Sequence, residues 1–181
     1  MRLAAIIVCL LLLLLPARAA ISGGGPTPSE WFGAHSPYDQ FSAQVIRGED
    51  SWRQLWAQLR QAPPQAFDAE RDLALAVFLG LRRTGGYSVT IVPAGITDGV
   101  YLFAAHEQVP AAGSMVPQAL TTPFRIIVVP KRSEPVVFLI GGATGECLYI
   151  AATERARAEA VARLPALPVC AADQIERKKR S

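Results

Sequence analysis

Histidine, cysteine and methionine are scarce in this chain of 181 residues, which carries two, three and two of them respectively. His35 and His106 lie far apart in sequence, and no cysteine–histidine group has the spacing of a metal site. Neither H-E-x-x-H nor G-x-S-x-G occurs, and the glycine-rich run at residues 141–145 lacks the GK[ST] of a phosphate loop. No cofactor and no metal are therefore expected. Asp68, Glu70 and Asp72 are a carboxylate candidate, but alternating charges before an apolar run are more simply its solvated lead-in. His106 and Glu107 are neighbours on an expected strand, so they point to opposite faces and make a poor acid–base pair. Catalysis needs convergent partners that this inventory does not supply, and the chain reads as a non-enzyme.

A basic folded body is also missing. The formal net charge of +3 comes from the ends: Arg2 and Arg18 at the start, and Arg177, Lys178, Lys179 and Arg180 at the finish. Residues 20–176 hold 12 basic against 15 acidic side chains, so a nucleic-acid-binding face is not supported. Residues 173–181 read as a solvated basic tail, with weak attraction to an anionic surface as the sharper alternative.

The long apolar run at residues 3–15 is too short to span a bilayer as a plain helix. It follows Arg2 and precedes Ala17-Arg18-Ala19, the A-x-A pattern of a signal peptide, which places cleavage after Ala19. The expectation is an exported protein, periplasmic or extracellular, with no integral membrane segment after cleavage; an uncleaved anchor is the alternative. Cys147 and Cys170 remain after cleavage, and in an oxidising compartment such a lone pair is expected to be bridged. Closing that loop would stabilise the fold by ~3 kcal/mol on the chain-entropy view. Mass with and without reductant and alkylation tests this, and two free thiols would sink it.

What is present is a strand-rich body. Residues 20–40 are rich in glycine, proline and serine and read as a flexible lead-in, with Trp31 and Phe32 as docking points. Residues 41–47 offer a short strand. Ser51-Trp52-Arg53-Gln54 has the form of a capping box, and Trp52, Leu55, Trp56 and Leu59 follow at helical spacing until Pro63-Pro64 ends the helix. The two tryptophans are expected to cover a sheet as core rather than to serve as a ligand platform.

The chain is organised around residues 73–92. Residues 73–79 are a continuous apolar run, as expected of a strand buried on both faces, and Tyr87, Val89 and Ile91 mark one face of a second strand. Gly85-Gly86 between them predicts a tight β-hairpin whose tip carries Arg82, Arg83, Thr84, Gly85, Gly86 and Tyr87. That tip is the binding-site candidate, because a loop held by two rigid strands can present hydrogen-bond donors. The plain structural alternative is that the glycines only turn the chain. Thr97-Asp98-Gly99 is a further turn signal, and strands are expected at residues 100–107, 124–130 and 135–140, mostly antiparallel because the loops are short. Residues 153–164 are rich in alanine and charge and read as a helix ended by Pro165. The expected fold is α+β: a mainly antiparallel β-sheet, one tryptophan-bearing helix packed on it, and a C-terminal helical extension at residues 142–172 with the disulfide.

The helix SWRQLWAQL, the segment AVFLGLRRTGGYSVTI, and the later QALTTPFRIIVVPK with PVVF resemble the PrcB-like C-terminal domain family. The resemblance covers residues 51–138 and gives residues 41–141 as the domain. Its most specific part is residues 80–87, supported by Thr122-Pro123-Phe124 and Val129-Pro130-Lys131. It departs from the family in having Arg83 before Thr84, where proline is usual, and Phe124 where tyrosine is usual. The resemblance implies an exported protein that associates with a protein partner, a secreted protease complex that it stabilises. Two alternatives stand beside it: a protease inhibitor presenting the Thr84–Tyr87 loop, and a hydrolase using Asp68, His106 or Glu107.

Overall fold

A computed structural model describes residues 29–142, 145–149 and 162. Among the described residues the strands and the helix α1 follow in the order β1 (Glu30–Gly33), β2 (Ser42–Ile46), α1 (Glu49–Gln58), β3 (Asp72–Phe78), β4 (Ser88–Thr97), β5 (Val100–Gln108), β6 (Phe124–Pro130), β7 (Val136–Gly142) and β8 (Gly145–Tyr149). They form two four-stranded sheets, ordered β1-β6-β3-β2 and β4-β5-β7-β8. The first is antiparallel throughout; the second is mixed, because β5 and β7 pair parallel. The α+β expectation holds in this coarser form. The expected C-terminal extension and the Cys147–Cys170 bridge lie outside the described residues, except that the backbone of Cys147 stands in β8 opposite Ile140.

β3 is buried on both faces, as its sequence predicts, because it is central in one sheet of a layered body. Leu73, Leu75 and Val77 face the second sheet and meet Val89, Ile91, Phe103, Val136 and Phe138. Ala74, Ala76 and Phe78 face the helix, with Phe124, Ile126 and Val128 of neighbouring β6 beside them. Each large apolar side chain so buried contributes roughly 1.5–3 kcal/mol relative to exposure.

The α1 stripe is also as expected: Trp52, Leu55, Trp56 and the following Leu59 are buried on the first sheet. Trp31 joins Trp52 and Trp56 at ring centroid distances of 5.6 Å, all edge-on, and Phe67 stacks on Trp52 at 5.2 Å. Trp31 therefore belongs to a strand, and residues 30–33 of the expected lead-in are β1, paired with β6. A lone tryptophan in a polar stretch finds more burial in a sheet than in solvent.

Both ends of α1 depart from expectation. Gly48 is the N-cap in an extended conformation with no side-chain cap, so Ser51 sits inside the helix and the capping box does not form. Glu49 and Asp50 in the first turn suit the positive end of the helix dipole instead. At the other end, Gln61 N–H donates to Trp56 O and Arg60 N–H to Ala57 O, each at 3.0 Å, and Arg60 adopts φ 57°. This is a Schellman closure with arginine at a position that favours glycine. The helix has already stopped before Pro63.

The central correction concerns the hairpin. β3 and β4 lie in different sheets and do not pair, so residues 79–87 form a crossover between layers. The tight hairpin of this region is Asp98-Gly99, whose φ values of 49° and 72° join β4 to β5. That geometry fits a two-residue turn with both φ positive, and Asp-Gly meets it with little strain. β4 also runs past Val92 through a bulge between Pro93 and Gly95, which leaves Ala94 without a register partner while Pro93 stays opposite Phe103. Gly141 and Gly142 end β7 and Gly145 opens β8, so the glycine-rich connector lies within an antiparallel strand pair.

Candidate functional site

After Phe78 the chain keeps its antiparallel neighbour for several residues. Leu79 N–H donates to Pro123 O at 2.9 Å, Arg82 and Thr121 exchange N–H···O bonds of 2.7 and 2.9 Å, and Gly85 N–H donates to Pro117 O at 2.8 Å. The crossover is thus strapped to residues 117–123, the approach to β6, before it enters β4. Leu81 N–H reaches Asp39 O at 2.9 Å and ties in the segment before β2.

Arg82 points inward. Its side chain is 8% exposed, and Nε donates to Glu107 Oε1 at 2.7 Å while Nη1 donates to the carbonyls of Leu79 and Leu81 at 2.9 and 3.0 Å. Glu107, with a side chain 5% exposed, shares the inward parity of Phe103 and Ala105 on β5. Burying both charges costs several kcal/mol each, and mutual attraction plus the two carbonyl bonds offsets it only while the set is complete. The guanidinium also lies 5.8 Å from the Tyr87 ring centroid. Arg82 is therefore a brace between the crossover and β5. It is not a donor offered at a tip.

The glycines stand where a Cβ would be crowded. A Cβ on Gly85 would stand 3.0 Å from Pro117 Cδ, and one on Gly86, at φ 85°, 2.8 Å from Val116 Cγ1. Gly80 is stricter: its φ is 79°, and a Cβ would meet the Asp39 carbonyl oxygen at 2.8 Å. Thr84 gives its carbonyl to the Thr121 hydroxyl at 2.8 Å and is half-buried, as is Tyr87. Of the six residues expected at the tip, Arg83 and Gly86 are exposed.

Exposed apolar side chains stand in both of the segments that meet here. Leu81 of the crossover, and Val109, Met115 and Leu120 of the facing loop, are 42%, 61%, 101% and 62% exposed. They are four of the seven large hydrophobic residues exposed among the described residues. In the antiparallel register of the Arg82–Thr121 bridge, Arg83 stands opposite Leu120. Residues 109–121 join β5 to β6, and Met115 and Leu120, apolar and exposed in a loop, were the signal available in the sequence. Glu107 was legible too, since a carboxylate on the buried parity of a strand needs a partner.

The other candidates do not converge. Asp68 accepts from Arg71 Nε at 2.5 Å and from Glu70 N–H at 3.0 Å, and the arginine bond leads in holding its carboxyl below the ordinary aspartate range. It precedes β3, whereas Glu107 meets Arg82 beyond the other end of that strand. His106 points away from Glu107 and is exposed, as the strand parity predicts. Among the described residues no group of histidine, cysteine and acidic side chains is placed to hold a metal.

A family model described as PrcB C-terminal matches residues 73–130, the stretch from β3 through β6. That stretch is PrcB-like. Searches of curated proteins and of solved structures found no match. Several residues that carry the PrcB-like likeness hold the frame: Gly80 at the Asp39 contact, Thr122 with its hydroxyl 2.7 Å from Ser36 O, and Lys131 with Nζ 2.7 Å from Ala69 O.

Proposed function

We propose that this chain is an exported, non-catalytic protein-binding module that associates with a protease outside the cytoplasm and stabilises it. The observation that supports it most is the set of exposed apolar side chains Leu81, Val109, Met115 and Leu120, carried by two segments that the Arg82–Glu107 pair and the Thr121 bonds tie down. Exposed apolar side chains on a rigid support are the usual anchor of a protein interface. The PrcB-like match adds a protease-associated role. An inhibitor reading needs a loop that can enter a cleft, and Gly85 packed beneath Pro117 does not favour one.

Capture from an extracytoplasmic extract tests the proposal, with wild type set against a Leu81→Asp/Met115→Asp/Leu120→Asp variant. The expected result is a protease bound by wild type, retained at least tenfold less by the variant, and active for longer when wild type is present. Identical capture by both proteins, or a protease that loses activity on binding, would overturn it.

A further inference from the structure

Charge is scarce where the crossover meets the loop before β6. Residues 79–91 and 108–123 hold only two charged side chains, Arg82 and Arg83, although 18% of the chain is charged. Arg82 is engaged inside, paired with Glu107 at 2.7 Å. Arg83 is exposed, and among the described residues its guanidinium has no hydrogen bond, ion pair or ring contact. It stands opposite Leu120 in the register of the Arg82–Thr121 bridge, and Leu81 precedes it by two residues. Directly opposite residues of an antiparallel pair hold their side chains on one face, with Cβ atoms about 4.5–5.5 Å apart. The free cation of these two segments therefore lies beside an exposed leucine.

Few charges, with arginine and methionine retained, is the composition of the buried centre of a protein–protein interface. An arginine in such a centre carries a condition. Covering it with apolar side chains strips its water, which is costly unless an anion takes the water's place. Glu107 does not serve, because its carboxylate faces inward onto Arg82 and is 5% exposed. Asp39 meets the crossover through its backbone carbonyl, not its carboxylate. Neither segment contains an acidic residue. The anion has to come from the partner, and the guanidinium fork matches a carboxylate with two parallel N–H···O bonds.

We propose that Arg83 sets the specificity of this surface by taking an Asp or Glu side chain that the partner protein presents among apolar residues. The pairing rests on the reading of Leu81, Met115 and Leu120 as a protein-binding surface, and it adds the charge of the occupant. The apolar side chains contribute contact area to any apolar partner. Arg83 selects among them, because a neutral or basic residue facing it leaves the guanidinium desolvated and unpaired.

The probe is a phage-displayed library of random short peptides, selected on the immobilised full chain and counter-selected on its Leu81→Asp/Met115→Asp/Leu120→Asp variant. Enriched peptides are expected to carry Asp or Glu flanked by apolar residues. For one such peptide made synthetically, Arg83→Gln is expected to weaken binding at least ~10-fold, and so is the acid-to-amide change in the peptide. Both changes together should cost scarcely more than either alone, the mark of a direct pair. Arg83→Lys should retain part of the affinity, since it keeps the charge and loses the fork. Arg83 is exposed, so its variants are expected to unfold at the wild-type temperature, which separates a lost contact from a lost fold. Enriched peptides without an acidic residue, or losses that simply add, would overturn the pairing and leave the surface standing. No enrichment over the counter-selected variant would overturn the surface and the pairing together.

Discussion

The two flanks of β3 are held by different physics. Along the strand, Trp31, Trp52, Trp56, Phe67 and Phe78 close over the first sheet by apolar contact. Past its end, the crossover is held by one buried ion pair, backbone bonds to Thr121 and Pro117, and glycines with no room for a Cβ. Apolar burial is non-directional and tolerates exchange of similar volumes. A buried polar set is directional, so losing one member leaves the others desolvated and unpaired. The rigid polar end is the one that supports the exposed apolar surface.

The sharpest way to break the comparison is Arg82→Ala, expected to cost ~3–5 kcal/mol because it strands the Glu107 carboxylate. Arg82→Lys should rescue it only in part, since lysine lacks the fork that reaches carboxylate and carbonyls together. Denaturant unfolding reads both, and full rescue by lysine would show that charge alone suffices. On the apolar flank, Leu55→Ala is expected to cost ~2–5 kcal/mol but Leu55→Met under ~1.5 kcal/mol. Equal losses from the two Leu55 variants would erase the distinction.

Gly80→Ala tests the close approach to Asp39. A non-glycine residue at positive φ costs ~1–3 kcal/mol, and the backbone contact at 2.8 Å adds to it. A loss below ~0.5 kcal/mol in thermal unfolding would mean that the segment before β2 moves aside. Arg60→Gly should act in the opposite direction, stabilising by ~0.5–1 kcal/mol by relieving the left-handed C-terminal position of α1. Its effect on partner capture should be nil.

The smallest expected effect is at Asp68. Its carboxyl is held below the ordinary value first by the Arg71 bond, so the contribution is present above the unfolded-state pKa of ~3.9 and is lost as pH falls through the lowered folded value. A carboxyl titration by NMR should place Asp68 below free aspartate in the wild type and return it toward that value in Arg71→Ala. An unchanged midpoint would remove the Arg71 bond as the cause.

Sequence by itself determined the elements whose signal is one residue's own periodicity. Residues 73–79 had to be a doubly buried strand, Trp52, Leu55, Trp56 and Leu59 a covering helix stripe, and Asp98-Gly99 a turn, because side-chain burial and backbone φ are local demands. It did not determine which strands pair. Gly85-Gly86 between two strand-like runs is as compatible with a crossover as with a hairpin, since positive φ at Gly86 serves close packing as well as reversal. Only the tertiary structure placed β3 and β4 in separate sheets, turned Arg82 from a surface donor into the partner of Glu107, and left Leu81, Val109, Met115 and Leu120 outside. Those outcomes rest on contacts between residues distant in sequence, where the favourable terms are pairwise and no single residue announces its partner.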